Sequence, residues 1–257
     1  MTLVTALMLF GAGIVGGAIS GLLGGASLIT FPALLAAGLP PVIAATTNLA
    51  AIVPANLIAA WAERTQLPRI DRGFGGMVLW SVVGAVIGAA LLVLTPARLF
   101  EILVPALLGF ATVLLAFPRR ISDWVRARAR SLGHAEPMMS ATGMPVLLPV
   151  SIYGGYFGSG VGVILLGVLS VATGGDYRAA NVIKNLVTGI NTVVAVACFA
   201  ALGMVDWPAA AVMAAGALIG GFMGAHAARI APPVLMRVAV IGLGALLTAV
   251  FAWRYWF

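Results

Sequence analysis

The strongest constraint in this chain is a succession of apolar runs of membrane length, near residues 3–23, 25–38, 42–61, 73–94, 101–117, 144–158, 160–173, 179–200, 208–228 and 234–253. A hydrocarbon layer about 30 Å thick selects helices of roughly 20 mostly apolar residues, because the backbone must satisfy its own hydrogen bonds there. A membrane-spanning strand would alternate apolar and polar positions, whereas 78–94 and 102–117 are apolar almost throughout. The expectation is an all-α, polytopic helical membrane protein. With 62% hydrophobic and 8% charged residues, a soluble domain is excluded. The net charge of +7 does not indicate nucleic acid, since Arg119, Arg120, Arg126, Arg128 and Arg130 share one connection, where such a cluster sets orientation.

That connection, 118–142, is the one long polar stretch, and it divides the chain into a first membrane repeat (1–117) and a second (143–257). A shift of 137 positions places Gly17 on Gly154, Gly21 on Gly158, Gly25 on Gly162, Gly38 on Gly175 and Asn48 on Asn185. After a one-residue slip, Gly84 meets Gly220, Gly88 meets Gly224, Pro96 meets Pro232 and Leu99 meets Leu235. An ordered series of this kind points to duplication. About five helical segments per half is an odd number, so the second copy enters from the opposite side, giving two inverted-topology repeats. Counting the short segments 25–38, 144–158 and 160–173 as half-helices or hairpins, the chain makes 8–10 spans. With the arginine-rich centre cytoplasmic, Arg64, Arg69, Arg72, Arg178 and Arg229 fall on the same side, in keeping with the positive-inside rule and an inner (plasma) membrane, multi-pass location. The first basic residue is Arg64, so the N-terminal apolar run reads as a helix and not as a cleaved leader.

Polar side chains inside such segments are costly unless partnered or set against a water-filled cavity. All five asparagines and the only lysine lie in two segments, Asn48 and Asn56 in one, Asn181, Lys184, Asn185 and Asn191 in the other. Asn181, Lys184, Asn185, Thr188 and Thr192 share one helix face, and Thr46, Thr47 and Asn48 occupy the corresponding turn of the first half. No acid lies in 42–61 or 179–200, so an anionic ligand is the expected counterpart of Lys184; the alternative is a lysine snorkelling to the headgroups beside Arg178. Glycine breaks recur at Gly21, Gly24 and Gly25 and at Gly154, Gly155, Gly158, Gly160 and Gly162. They suit close helix packing, within one protomer or between two, and also broken helices whose N–H groups face an anion. The expected substrate-binding set is Gly24, Gly25, Ser27, Thr46, Thr47, Asn48, Tyr156, Gly158, Ser159, Gly160, Asn181, Lys184, Asn185 and Thr188.

The stretches GLLGGASLITFPALLAAGLPPVIAATTNL, YGGYFGSGVGVILLGVLSVATGGDYRAANVIKNLVTGINT and GALIGGFMGAHAARIAPPVLMRVAVIGLGALL resemble the TauE/SafE sulfite exporter family over almost the whole chain. The resemblance implies a permease for small sulfur-containing anions, such as sulfite or organosulfonates, driven by an ion gradient or the membrane potential. Rocking of the two halves would alternate access to the site. An uptake symporter or a channel for another small anion is the alternative.

An intramembrane enzyme needs a convergent nucleophile and base, paired carboxylates or a metal cluster. His134 and His226 are far apart, and Cys198 is single, so neither catalytic residues nor a metal or cofactor is expected. Besides the anion, the expected partner is the bilayer itself, with coupling to protons or the potential.

Overall fold

The computed structural model describes residues 1–23, 25–62, 72–117, 120, 123, 127, 147–173, 176–227 and 233–256. Ten α-helices account for the regular structure there: α1 (Leu3–Leu23), α2 (Ser27–Ala36), α3 (Pro41–Ala62), α4 (Arg72–Leu94), α5 (Ala97–Ala116), α6 (Leu147–Tyr156), α7 (Val161–Ala172), α8 (Tyr177–Ala201), α9 (Trp207–Ala227) and α10 (Pro233–Trp256). The protein is therefore the helical, multi-pass membrane protein that the apolar runs demand. Segments within α3, α4, α5 and α8 are long and apolar enough to cross a bilayer, and α1, α2, α7, α9 and α10 carry shorter apolar stretches. The basic connection, Gly24 and the loop carrying Arg64 and Arg69 lie outside the described residues, except for Arg120, Asp123 and Ala127.

Local chemistry sets the helix ends. Pro41 and Pro233 occupy first helical positions, where a missing N–H costs nothing. Asp176 and Asp206 accept the Ala179 and Ala209 N–H at 3.1 and 3.0 Å, capping α8 and α9. After α8 the chain turns through Gly203 at φ +69, with the Met204 N–H bonded to the Phe199 carbonyl. Helices α2, α6 and α7 have 10, 10 and 12 residues. At a rise of about 1.5 Å per residue each covers only about half of the hydrocarbon layer.

The packing exchanges helices between the halves. Under the sequence equivalences α6 corresponds to α1 and α9 to α4; α1 packs on α9, and α6 packs on α4. Both pairs are glycine contacts. A Cβ at Gly220 would overlap the Ile14 carbonyl in one pair, and a Cβ at Gly84 would meet Ser151 Cβ at 2.5 Å in the other. Gly84 and Gly220 are equivalent positions, as are Ile14 and Ser151. Helices α3 and α8 cross at the centre, and α5 lies against α10. Outward faces are apolar, with Leu79, Val113, Leu246 and Val250 exposed, while Trp207, Trp253 and Trp256 mark helix ends as interfacial anchors.

These contacts make a direct prediction. Gly220→Ala should lower the stability of the purified protein by about 1–3 kcal/mol in thermal melting, because backbone sits where the methyl would go. Gly242→Ala, with nothing within 4 Å of its Cβ position, should be neutral or slightly stabilising.

Candidate functional site

The two short hairpins meet a central cavity. Helix α6 ends and the chain turns through Gly158 (φ +74) and Gly160 (φ +77), a left-handed conformation that side-chain-bearing residues resist. The Tyr153 hydroxyl donates to the Ser159 carbonyl at 2.6 Å and ties the turn to the helix that leads into it. In the first half, α2 begins at Ser27, where the Leu28 N–H bonds back to the Gly25 carbonyl.

The cavity, about 630 Å³, lies between these tips and the crossing of α3 with α8. Gly25, Ala26 and Ser27 line it from one hairpin, and Gly158, Gly160, Val161 and Gly162 from the other. Helices α2 and α7 thus both begin at its wall, bringing two positive helix ends to one volume. Helix α8 supplies the polar wall with Asn181, Lys184, Asn185, Thr188, Asn191 and Thr192. The opposite wall, from α3 and α9, is mostly apolar and includes Leu49, Ile52, Leu218 and Phe222. One cationic side chain and no carboxylate line the cavity among the described residues.

Lys184 Nζ donates to Asn181 Oδ1 at 2.8 Å, one helical turn back on α8. Its stem passes Gly162, whose added Cβ would stand 3.7 Å from Lys184 Cδ. The lysine therefore lies along the cavity wall. Asn56 of α3 donates to Thr192 Oγ1 at 3.0 Å, and Thr192 donates to the Thr188 carbonyl at 2.5 Å, closing the helix crossing with a short polar chain. Such an arrangement can bind an anion: fixed donors, two helix ends and a cation act together on one volume.

Of the residues expected from sequence, Gly25, Ser27, Gly158, Gly160, Asn181, Lys184, Asn185 and Thr188 come together at the cavity. Thr46, Thr47, Asn48, Tyr156 and Ser159 do not line it. Thr46 is fully buried and donates to the Ile43 and Met204 carbonyls. Thr47 Oγ1 accepts the Asp206 N–H at 3.0 Å, and Asn48 Oδ1 accepts the Thr30 hydroxyl at 2.5 Å. These three pin the start of α3 to α2 and to the loop before α9. The Tyr156 hydroxyl meets Thr95 at 3.3 Å, and its ring packs edge-on against Phe100. Gly24 lies outside the described residues, as do the side chains of His226 and Arg178.

Asn56, Asn191 and Thr192 also line the cavity, beyond the expected substrate-binding set, Thr192 as a member of the stripe that the spacing aims at a cavity. Continuing the helical spacing from Lys184 by seven and eight residues finds the latter two. The matched glycines Gly17 and Gly154 also reach the wall.

A bond test separates scaffold from wall. Thr47→Val leaves the Asp206 N–H without its acceptor and should cost about 1–3 kcal/mol in thermal stability. Thr188→Val, on the cavity wall with its hydroxyl unbonded among the described residues, should change the melting temperature far less.

The family model described as sulfite exporter TauE/SafE matches residues 9–251. A "probable membrane transporter protein" of Haemophilus influenzae is 26% identical over 243 residues, covering 94% of this chain and 92% of that protein. A "probable membrane transporter protein ORF9" of a Sinorhizobium species is 29% identical over 246 residues, covering 90% and 88% of the two chains. No solved structure matches the chain.

Proposed function

Because this chain belongs to the TauE/SafE sulfite exporter family and is a membrane transporter, we propose that it carries a small sulfur-containing anion, such as sulfite or an organosulfonate, by alternating access between its two halves. The observation that carries the anion reading is the cavity itself, where Lys184 and the starts of α2 and α7 meet with no carboxylate among the described lining residues. A sulfite or sulfonate group presents only acceptor oxygens. Lysine and asparagine amides present donors to it, and the starts of α2 and α7 present positive helix ends. The family description adds the sulfur chemistry.

Alternating access draws support from the exchanged pairs, α1 on α9 and α6 on α4, which suit two inverted repeats divided by 118–142. It also draws on an asymmetry along the helices. The start of α3 is held shut against Met204 and Asp206 by the Thr46 and Thr47 bonds. The cavity runs along α3 from Leu49 onward, along α8 as far as Thr192 and along the second half of α9. With the arginine-bearing connections in the cytoplasm, this arrangement is open inward and closed outward. Export of a monovalent anion from a cell 100 mV negative inside gains about 2.3 kcal/mol without a coupled ion.

The test of the anion site is thermal stabilisation of the purified protein by sulfite, thiosulfate, sulfate, sulfoacetate, taurine and acetate. A concentration-dependent shift is expected for a sulfur anion. Lys184→Met should weaken it by tenfold or more, read against the variant's own unliganded melting temperature. A binding response unchanged in Lys184→Met would overturn this reading.

Access can be read separately. In a Cys198→Ser background, Leu218→Cys should react with an impermeant thiol reagent from the cytoplasmic side, and added substrate should slow that reaction. Equal labelling from both sides, undiminished by substrate, would indicate a channel.

A further inference from the structure

The polar wall of α8 is not uniformly engaged. Lys184 is bonded to Asn181, and Asn56, Thr192 and the Thr188 carbonyl form a closed chain. Asn191 stands apart from both. It is 1% exposed, it lines the cavity, and neither its Nδ2 nor its Oδ1 has a partner among the described residues. The Thr188 hydroxyl, one turn away on the same wall, is buried and unbonded too. A buried amide with both ends unpaired costs free energy unless a group entering the cavity meets it.

The neighbouring backbone makes room for this amide. A Cβ at Gly154 would stand 2.9 Å from Asn191 Nδ2, so even alanine would press on the side chain. Gly154 is also the sequence equivalent of Gly17, and both reach the cavity. Asn191 thus packs into the room that Gly154 leaves and borders the same volume as Lys184.

Chemistry and spacing define what fits. The Asn191 amide offers one kind of donor and one kind of acceptor, so its complement must both accept and donate. A carboxylate or sulfonate only accepts, and an ammonium only donates. A hydroxyl or a neutral amide does both. Asn191 follows Lys184 by seven residues, two turns on one helix face, or about 10 Å along the axis. A bare inorganic anion cannot span that distance, and it fills only a small part of 630 Å³.

We propose that Asn191, with the Thr188 hydroxyl and the space left by Gly154, forms a second subsite for the uncharged end of the substrate. The ligand class is then an organic anion bearing a hydroxyl or amide group several carbons from its sulfonate. This rests on the anion site at Lys184 and extends it: the lysine end takes the charge, and the asparagine end selects the tail.

The experiment compares two series of probes on the intact protein by thermal stabilisation. One is the ω-hydroxyalkanesulfonates from two to about six carbons; the other is the alkanesulfonates of the same lengths. The wild-type protein should prefer the hydroxylated member by about tenfold. The preference should peak at about four or five carbons, where the chain spans the two subsites. Asn191→Leu should erase the preference while leaving the affinity for the alkanesulfonate within about twofold, and Gly154→Ala should reduce it. Equal binding of the two series by wild-type protein at every length would mean that Asn191 meets only water, and would overturn the subsite while the anion site stands. If neither series binds, or if both bind Lys184→Met unchanged, the anion site fails and the subsite with it. The wild-type comparison decides the matter even if a variant does not fold.

Discussion

Backbone contact between helices at glycine is the interaction on which this fold depends. Inside lipid there is little hydrophobic force to bring helices together, so dispersion and close approach must do so. The α1–α9 and α4–α6 pairs achieve this where Gly17, Gly220, Gly84, Gly88 and Gly155 replace a side chain with the partner's backbone. Each contact clamps the first helix of one half onto the fourth helix of the other. The clamp has a structural consequence: α6 and α7 are too short to cross the bilayer and need a rigid neighbour to hold their turn at depth. With α6 fixed on α4, Gly158 and Gly160 can place the start of α7 at the cavity. In the first half α1, fixed on α9, does the same for α2.

The polar groups then sort into two populations. Thr30, Thr46, Thr47 and Asn48 are buried and satisfied by neighbouring elements, and they hold α3 in place. The α8 face looks into open volume instead. The shift of 137 relates Asn48 to Asn185 and Thr47 to Lys184, yet the two members of each pair do different work. In the first half the loop before α9 reaches the Thr47 hydroxyl, whereas Lys184 lies along the cavity wall, bonded to Asn181 and passing Gly162. Positions related by that shift stand at comparable places near the starts of α3 and α8. In the proposed mechanism their side chains diverge because one copy serves closure and the other the ligand.

Hydropathy alone revealed the helices, because the requirement for internal backbone hydrogen bonding admits few other structures. Glycine spacing revealed the two breaks, since Gly158 and Gly160 stand where positive φ is needed. The Asn181 to Thr188 stripe was legible because one helical face fixes its members relative to one another, whatever packs around them. Thr46, Thr47 and Asn48 were not, for the opposite reason. Met204 and Asp206, the partners of Thr46 and Thr47, lie about 160 residues away, Asn48 meets Thr30 of the preceding helix, and periodicity along α3 holds no information on whether a polar group meets a neighbouring element or a cavity. Gly17 and Gly154 show the same limit: the spacing identifies small faces but does not say which glycine also borders the cavity.

The two ends of the cavity explain how one polar wall can serve a transport cycle in the proposed mechanism. At the outward end, closure rests on two hydroxyl groups bonded to the main chain, Thr46 to the Met204 carbonyl and Thr47 to the Asp206 N–H. Bonds of this kind contribute about 1 kcal/mol each, strong enough to bias a state and weak enough to exchange on the timescale of helix rocking. At the inward end the equivalent turn of α8 carries Lys184, whose proposed affinity for the anion would provide the opposing bias. A ligand shifts such an equilibrium only through its different affinity for the two states. The asymmetry between Thr47 and Lys184 therefore makes closure depend on substrate at one end and on the protein's own backbone at the other.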